Sequence, residues 1–200
     1  MKTLIIGTKN TAKIKQIAGA IQSLNIEVTG LPDSIEDATE NGSTAQENAR
    51  IKSIFYSRVL GDMVLSMDNA LYLDGLDETE QPGIHVRRIP TSENIRPTDD
   101  ELLNYYTSII KRLGSKISGR WEFAICIANN GNIIKETTII SPRIFVSTPS
   151  KKIVPGYPLE SIQIDPEGGA YISEMTQEEQ DAFWQKKIGS ELCSFIKSIA

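Results

Sequence analysis

The order of elements at the start of the chain constrains the fold most. Thr3-Leu4-Ile5-Ile6 is an apolar run closed by Gly7, which reads as a buried strand. Ile14, Ile17, Ala18, Ile21 and Leu24 follow at helical spacing and predict an amphipathic helix over 11–23. Ile26 to Thr29 then reads as a second strand. A strand, a glycine-bearing turn and a helix in this order point to an α/β domain.

Further along, residues 31–43 are polar and acidic, which is loop chemistry. Thr44 and Glu47 have the spacing of a capping box before a helix over 44–59. The same spacing recurs at Thr98 and Glu101 and at Thr176 and Glu179, predicting helices over 98–113 and 176–198. Met63 to Met67 reads as a buried strand, Leu71-Tyr72-Leu73 as a separate short piece, and Gln81-Pro82-Gly83 as a turn. Trp121 to Ala128 and Ile133 to Ile140 flank Asn129-Asn130-Gly131-Asn132, a hairpin signal. Ile144-Phe145-Val146 reads as a third strand, and 149–170 as a long ordered loop of the kind that often carries function.

Composition removes several chemistries. One histidine among 200 residues cannot supply a multi-histidine zinc site. Cys126 and Cys193 form no CxxC pair and fit two reduced thiols in a cytoplasmic protein. No run of 18 or more apolar residues exists, so neither a spanning helix nor a membrane partner is expected. With 21 basic against 26 acidic side chains the net charge is -5, which argues against a nucleic-acid polymer as partner. A small anion is a different matter, because a few lysines make a local positive pocket.

Three segments have the residue types for such a pocket. In Thr8-Lys9-Asn10-Thr11-Ala12-Lys13 the polar and basic side chains stand at a helix N-terminus, whose N–H groups and dipole favour phosphate. The plain alternative is a capped helix with solvated lysines. Asn48 and Lys52, four apart, share a helix face and suit a common anion, or else form a surface polar stripe. Asp68, at the end of the Met63–Met67 strand, suits a hard cation or a water proton, or else caps a turn with Asn69. Arg87 and Arg88 are better phosphate contacts than the lone His85. Trp121 and Trp184 read as core anchors rather than stacking platforms.

Taken in order, these segments resemble the Ham1-like family of inosine/xanthosine triphosphate pyrophosphatases. Thr8-Lys9-Asn10-Thr11-Ala12-Lys13 is similar to its opening Thr-Gly-Asn-x-x-Lys, without the glycine. Glu40-Asn41-Gly42-Ser43-Thr44, with Glu47-Asn48-Ala49 and Lys52, resembles its second motif. Met67-Asp68-Asn69-Ala70-Leu71 stands where the family has Asp-Asp-Ser-Gly-Leu. Pro82-Gly83 with Arg88, and Glu174-Met175-Thr176-Gln177-Glu178-Glu179, resemble two later elements. The departures are Met67 for the first acid, Gln16 for a glutamate and Gln180 for a lysine. In addition, Gly156-Tyr157-Pro158-Leu159 lacks the aspartate of Gly-Tyr-Asp-Pro, and Trp184-Gln185-Lys186 replaces Ser-His-Arg.

The resemblance implies one domain over 1–200, with a mixed central sheet flanked by helices and two lobes around a cleft, forming a homodimer. It implies hydrolysis of a non-standard (d)NTP to (d)NMP and pyrophosphate with Mg2+, or Mn2+ in its place. Thr8, Lys9, Asn10, Lys13, Asn48, Lys52, Asn69 and Arg88 would contact phosphate. Asp68 would be catalytic and bind the metal with Glu40, while Tyr157, Gln185 and Lys186 would line an altered base pocket. Met67 and the replaced base readers also fit a second reading, a nucleotide-binding protein without catalysis.

Overall fold

The strand–turn–helix opening is present in the computed structural model, which describes residues 3–90 and 97–199. β1 (Thr3–Ile6) leads through Gly7 into α1 (Thr11–Ile21), and β2 (Glu27–Thr29) lies parallel to β1 with Thr3 opposite Glu27. Ile17, Ala20 and Ile21 form the buried stripe of α1. Then come α2 (Ala45–Leu60), β3 (Met63–Leu73), α3 (Asp99–Arg112), β4 (Lys116–Asn129) and β5 (Asn132–Val146). The chain closes with β6 (Gln163–Ile164), α4 (Gln177–Trp184) and α5 (Ser190–Lys197). The strands form one sheet in the order β2-β1-β3-β4-β5-β6. It is mixed, since β1 runs parallel to β2 and β3 while β6 runs antiparallel to β5.

Several boundaries differ from the sequence reading. β3 is one strand of 11 residues, so Asp68 and Asn69 lie within it rather than beyond its end. Its polar pair interrupts the apolar pattern without interrupting the strand. β5 runs through Pro142 to Val146, absorbing the separate strand expected at 144–146. On β5 the partners of β6 are Ile144 and Phe145, beyond Pro142, and a proline is tolerated where one strand edge has no ladder bond to lose. The loop over 149–170 contains a 3-10 turn, Pro158–Ile162, and β6. The helix expected over 176–198 is divided by a π turn, Gln185–Gly189. Phe183 and Ile188, five apart, are both buried, a spacing that one wide turn aligns.

The fold divides into two compact units. The first holds the described residues up to Asn69, Glu122–Ser141, and those from Asp181 on. Part of its core is Leu31, Tyr56 and Val64, packed with Ile5, Phe55 and Leu60. Trp184 meets Phe123 and Phe183 edge-on there. The second unit is Ala70–Trp121 with Pro142–Gln180, built around Leu71, Leu102, Tyr106, Ile110, Phe145 and Ile162. Trp121 packs on this core and donates from Nε1 to Gln163 Oε1 at 2.9 Å, so both tryptophans are anchors. Cys126 and Cys193 are free thiols. Among the described residues no helix is long and apolar enough to cross a membrane.

Candidate functional site

The loop after β1 is shaped by its own side chains. Thr8 Oγ1 accepts from the Asn10 N–H at 3.1 Å. Asn10 caps α1, its Oδ1 accepting from the N–H groups of Ala12 and Lys13 at 3.0 and 3.3 Å. Both residues therefore act as acceptors within the loop. Lys9 meets the exposed Asp37 at 3.2 Å. Lys13 turns inward. Burial, then the like charge of Lys52, lowers its pKa below the ordinary lysine value, while Asp68 and Glu40 pull the other way.

Lys52 is the centre of the arrangement. It is 6% exposed, and its Nζ donates to Asp68 Oδ1 at 2.8 Å and to Glu40 Oε2 at 3.3 Å. An ammonium this deep persists only with such partners. Glu40 is brought to it by a loop that α2 holds at successive points. Ala38 N–H donates to Tyr56 Oη at 3.1 Å, and Gly42 N–H to Asn48 Oδ1 at 2.9 Å. The Ser43 N–H and hydroxyl both donate to Glu47 Oε2 at 2.7 Å. These bonds, first among them the one from the Ser43 hydroxyl, hold the Glu47 pKa below the ordinary glutamate value. Glu47 thus bonds Ser43 instead of closing a reciprocal box on Thr44, although Thr44 Oγ1 does cap the helix. Position 42 must be glycine, since a Cβ there would lie 2.7 Å from Asn48 Oδ1 and Glu47 Cβ. Asn48 shares a helix face with Lys52, and in this structure its carbonyl holds the loop that carries Glu40. Tyr56, unremarked in the sequence, does the same from two turns away; only its polar tip on an apolar helix face hinted at it.

Asp68 faces Lys52 from β3, and Met67 beside it is 4% exposed in the core. Consecutive strand residues point to opposite faces, so only one of this pair can face the lysines. Asn69 is half-buried, and its Oδ1 is buried without a partner among the described residues. Gln185 and Lys186 are exposed on the π turn of the first unit.

The second unit contains Arg88 and Tyr157. Arg88 lines a cavity of about 550 Å³ with His85, Tyr105 and Arg112. Its neighbour Arg87 is the arginine that reaches the Gly156-Tyr157 turn, donating from Nη1 to the Gly156 carbonyl at 2.7 Å. Beyond Tyr157, burial raises the Glu160 carboxyl to about 7, with Arg143 opposing the rise. Arg143 is itself 2% exposed, and desolvation lowers it to about 10.

Known proteins resemble this chain in sequence and in fold. A dITP/XTP pyrophosphatase of Parasynechococcus marenigrum (strain WH8102) is 30% identical over 137 residues, 68% of this chain and 65% of that one. A protein of the same description from Oceanobacillus iheyensis is 35% identical over 104 residues, 50% of each chain. The chain thus spans between half and two thirds of the length of these relatives. Among solved structures, a HAM1 protein from Coxiella burnetii superposes with a TM-score of 0.75 at 19% identity, over 99% of this chain and 100% of that one. The Staphylococcus aureus Ham1 protein gives 0.73 at 17% identity, over 100% of both. Both share the fold. The model of the Ham1 family matches residues 4–188, from β1 to the π turn, and the chain therefore belongs to that family.

Proposed function

We propose that this protein is a nucleoside triphosphate pyrophosphatase that hydrolyses a non-standard (d)NTP to (d)NMP and pyrophosphate. The observation that carries the reading is the convergence of Lys52, Asp68 and Glu40, with Lys13 coupled to all three. Two buried-side lysines beside two carboxylates suit a polyanion that arrives with a divalent cation. The names of the relatives, dITP/XTP pyrophosphatase, supply the substrate class.

The carboxylates fit Mg2+ or Mn2+. Their distances to Lys52 Nζ place the two oxygens no more than about 6 Å apart. Magnesium is commonly held by one or two carboxylates, the substrate phosphates and water. Among the described residues no group of three His, Cys, Asp or Glu side chains could hold a metal ion. Glu40 and Asp68 would hold the ion, which when bound neutralises charge on the phosphates.

Lys13 and Lys52 bind the triphosphate oxygens as point charges. Thr8, Lys9, Asn10, Asn48, Asn69 and Arg88 are the further residues assigned to phosphate in this reading. Asp68 orients a water and takes its proton as the water oxygen bonds to the α-phosphorus. The bond from that phosphorus to the β-bridging oxygen breaks, and pyrophosphate leaves with the electron pair. Tyr157, Gln185 and Lys186 are the residues assigned to the base in this reading, with selectivity altered by the replaced side chains. The enzyme acts in the cytoplasm as a homodimer. Pyrophosphate release from ITP, XTP, dITP and ordinary NTPs with Mg2+ or Mn2+ tests the assignment. Turnover of none of them would leave the binding-protein reading in its place.

A further inference from the structure

Gly156 precedes Tyr157 with φ at +78°, in the left-handed region. Packing does not hold it there, since a Cβ built at this position meets nothing within 4 Å. Side chains hold it instead. The Gly156 N–H donates to Asp99 Oδ2 at 2.6 Å, and its carbonyl accepts from Arg87 Nη1 at 2.7 Å. Arg87 Nη2 closes the ring on Asp99 Oδ1 at 2.9 Å. Bonds on both sides of one Cα fix its φ and ψ together. Glycine is the residue most free to leave such a conformation, so the clamp supplies the rigidity that the turn lacks.

Each partner is itself held. Asp99 opens α3, where Thr98 and Glu101 form a reciprocal capping box. Arg87 lies between two turn bonds, His85 N–H to the Pro82 carbonyl and Arg88 N–H to the His85 carbonyl. Its Nε is buried with no partner among the described residues, a cost accepted to aim the guanidinium at the turn. The Tyr157 N–H is tied back to the Val154 carbonyl at 2.9 Å, which carries the fixed orientation one residue on.

We propose that Arg87 and Asp99 are positioning residues that set the aim of Tyr157 and so the discrimination between nucleobases. This rests on the reading above that the Gly156-Tyr157 turn meets the base. Neither residue touches the substrate, so loss of either acts through turn geometry alone.

The test measures kcat and KM for ITP, XTP and GTP, and competitive inhibition by inorganic triphosphate, which has no base. Arg87→Ala and Asp99→Ala should each raise KM for the preferred nucleotide roughly tenfold and shrink its preference over the others, with a smaller change in kcat. The double variant should be little worse than either single one, because both break one ring. Inhibition by inorganic triphosphate should stay within about twofold of the parent. Arg87→Lys keeps the charge but not the planar fork, so it should fall between parent and alanine variant. It serves with Asp99→Asn should the alanine variants not fold. Unchanged base preference in these variants, with Tyr157→Ala altering it, overturns the clamp. Unchanged preference in Tyr157→Ala overturns the base-turn reading on which it rests.

Discussion

Met67 and Asp68 are neighbours in β3 with opposite surroundings: Met67 is 4% exposed in the core, while Asp68 Oδ1 lies 2.8 Å from Lys52 Nζ. The acid that this chain lacks at position 67 therefore corresponds to a core position. Met67→Asp would bury a carboxylate without a partner. We expect it to cost about 3 kcal/mol or more in urea unfolding and to add nothing to turnover. A variant both stable and more active would show that position 67 reaches the lysines.

Asp68→Asn keeps the shape of the side chain and removes its charge. Turnover should fall roughly 10²- to 10⁴-fold, while calorimetry still detects nucleotide binding. Parent-level pyrophosphate release in this variant would refute the catalytic role.

Lys13 illustrates a site residue that the fold tolerates at a cost. Its folded pKa lies below the unfolded value, first through burial and then through Lys52. The unfolded chain thus binds more protons than the native one between those two values, so this contribution to stability rises with pH between them. Lys13→Met should raise Tm at pH 7 and weaken inhibition by inorganic triphosphate at least tenfold. A lower Tm would contradict the direction of the shift.

Glu160 gives the opposite pH slope. Burial raises it to about 7 in the folded state, against an ordinary value of 4.5. Between these values the native state holds the extra proton, so stability falls as pH rises from 4.5 to 7, and the loss persists above. Glu160→Gln should flatten the denaturation midpoint across that range. Arg143→Leu should move the Glu160 midpoint higher, because Arg143 is the first of the charges holding it down. Carboxyl NMR shifts give both readings directly.

Gly189 lies where the π turn meets α1. A Cβ there would stand 2.5 Å from the Ala20 carbonyl oxygen, which belongs to rigid helix backbone. Gly189→Ala should destabilise by about 1–3 kcal/mol in thermal melts, despite the better helix propensity of alanine. A gain in Tm would mean that the two helical segments separate freely.

What was legible in the sequence were features written locally. The βα opening, the caps at Thr98 and Thr176, and the hairpin at Asn130-Gly131 each follow from a few adjacent side chains. The motif residues Glu40, Lys52 and Asp68 were also found, and they do come together. Features set by distant partners were not legible. β3 continues through Asp68 and Asn69 to Leu73 as one strand, which the polar break in the side-chain pattern does not report. That the Asn48 acceptor meets Gly42 across a loop was not written in its neighbours. Nor did spacing report that Arg87 has the bonds to the Gly156 turn. One position in a tight turn redirects a side chain completely, and spacing alone is blind to that.

The boundaries between the two units fall at Asn69/Ala70 within β3, at Trp121/Glu122 within β4, at Ser141/Pro142 within β5, and at Gln180/Asp181 within α4. No single cut in the gene releases either unit. A truncation or domain graft placed at any one of these points severs a strand or a helix and leaves three other crossings intact. The protein can therefore gain or lose material at its hairpins and loops, but it cannot be inherited in halves.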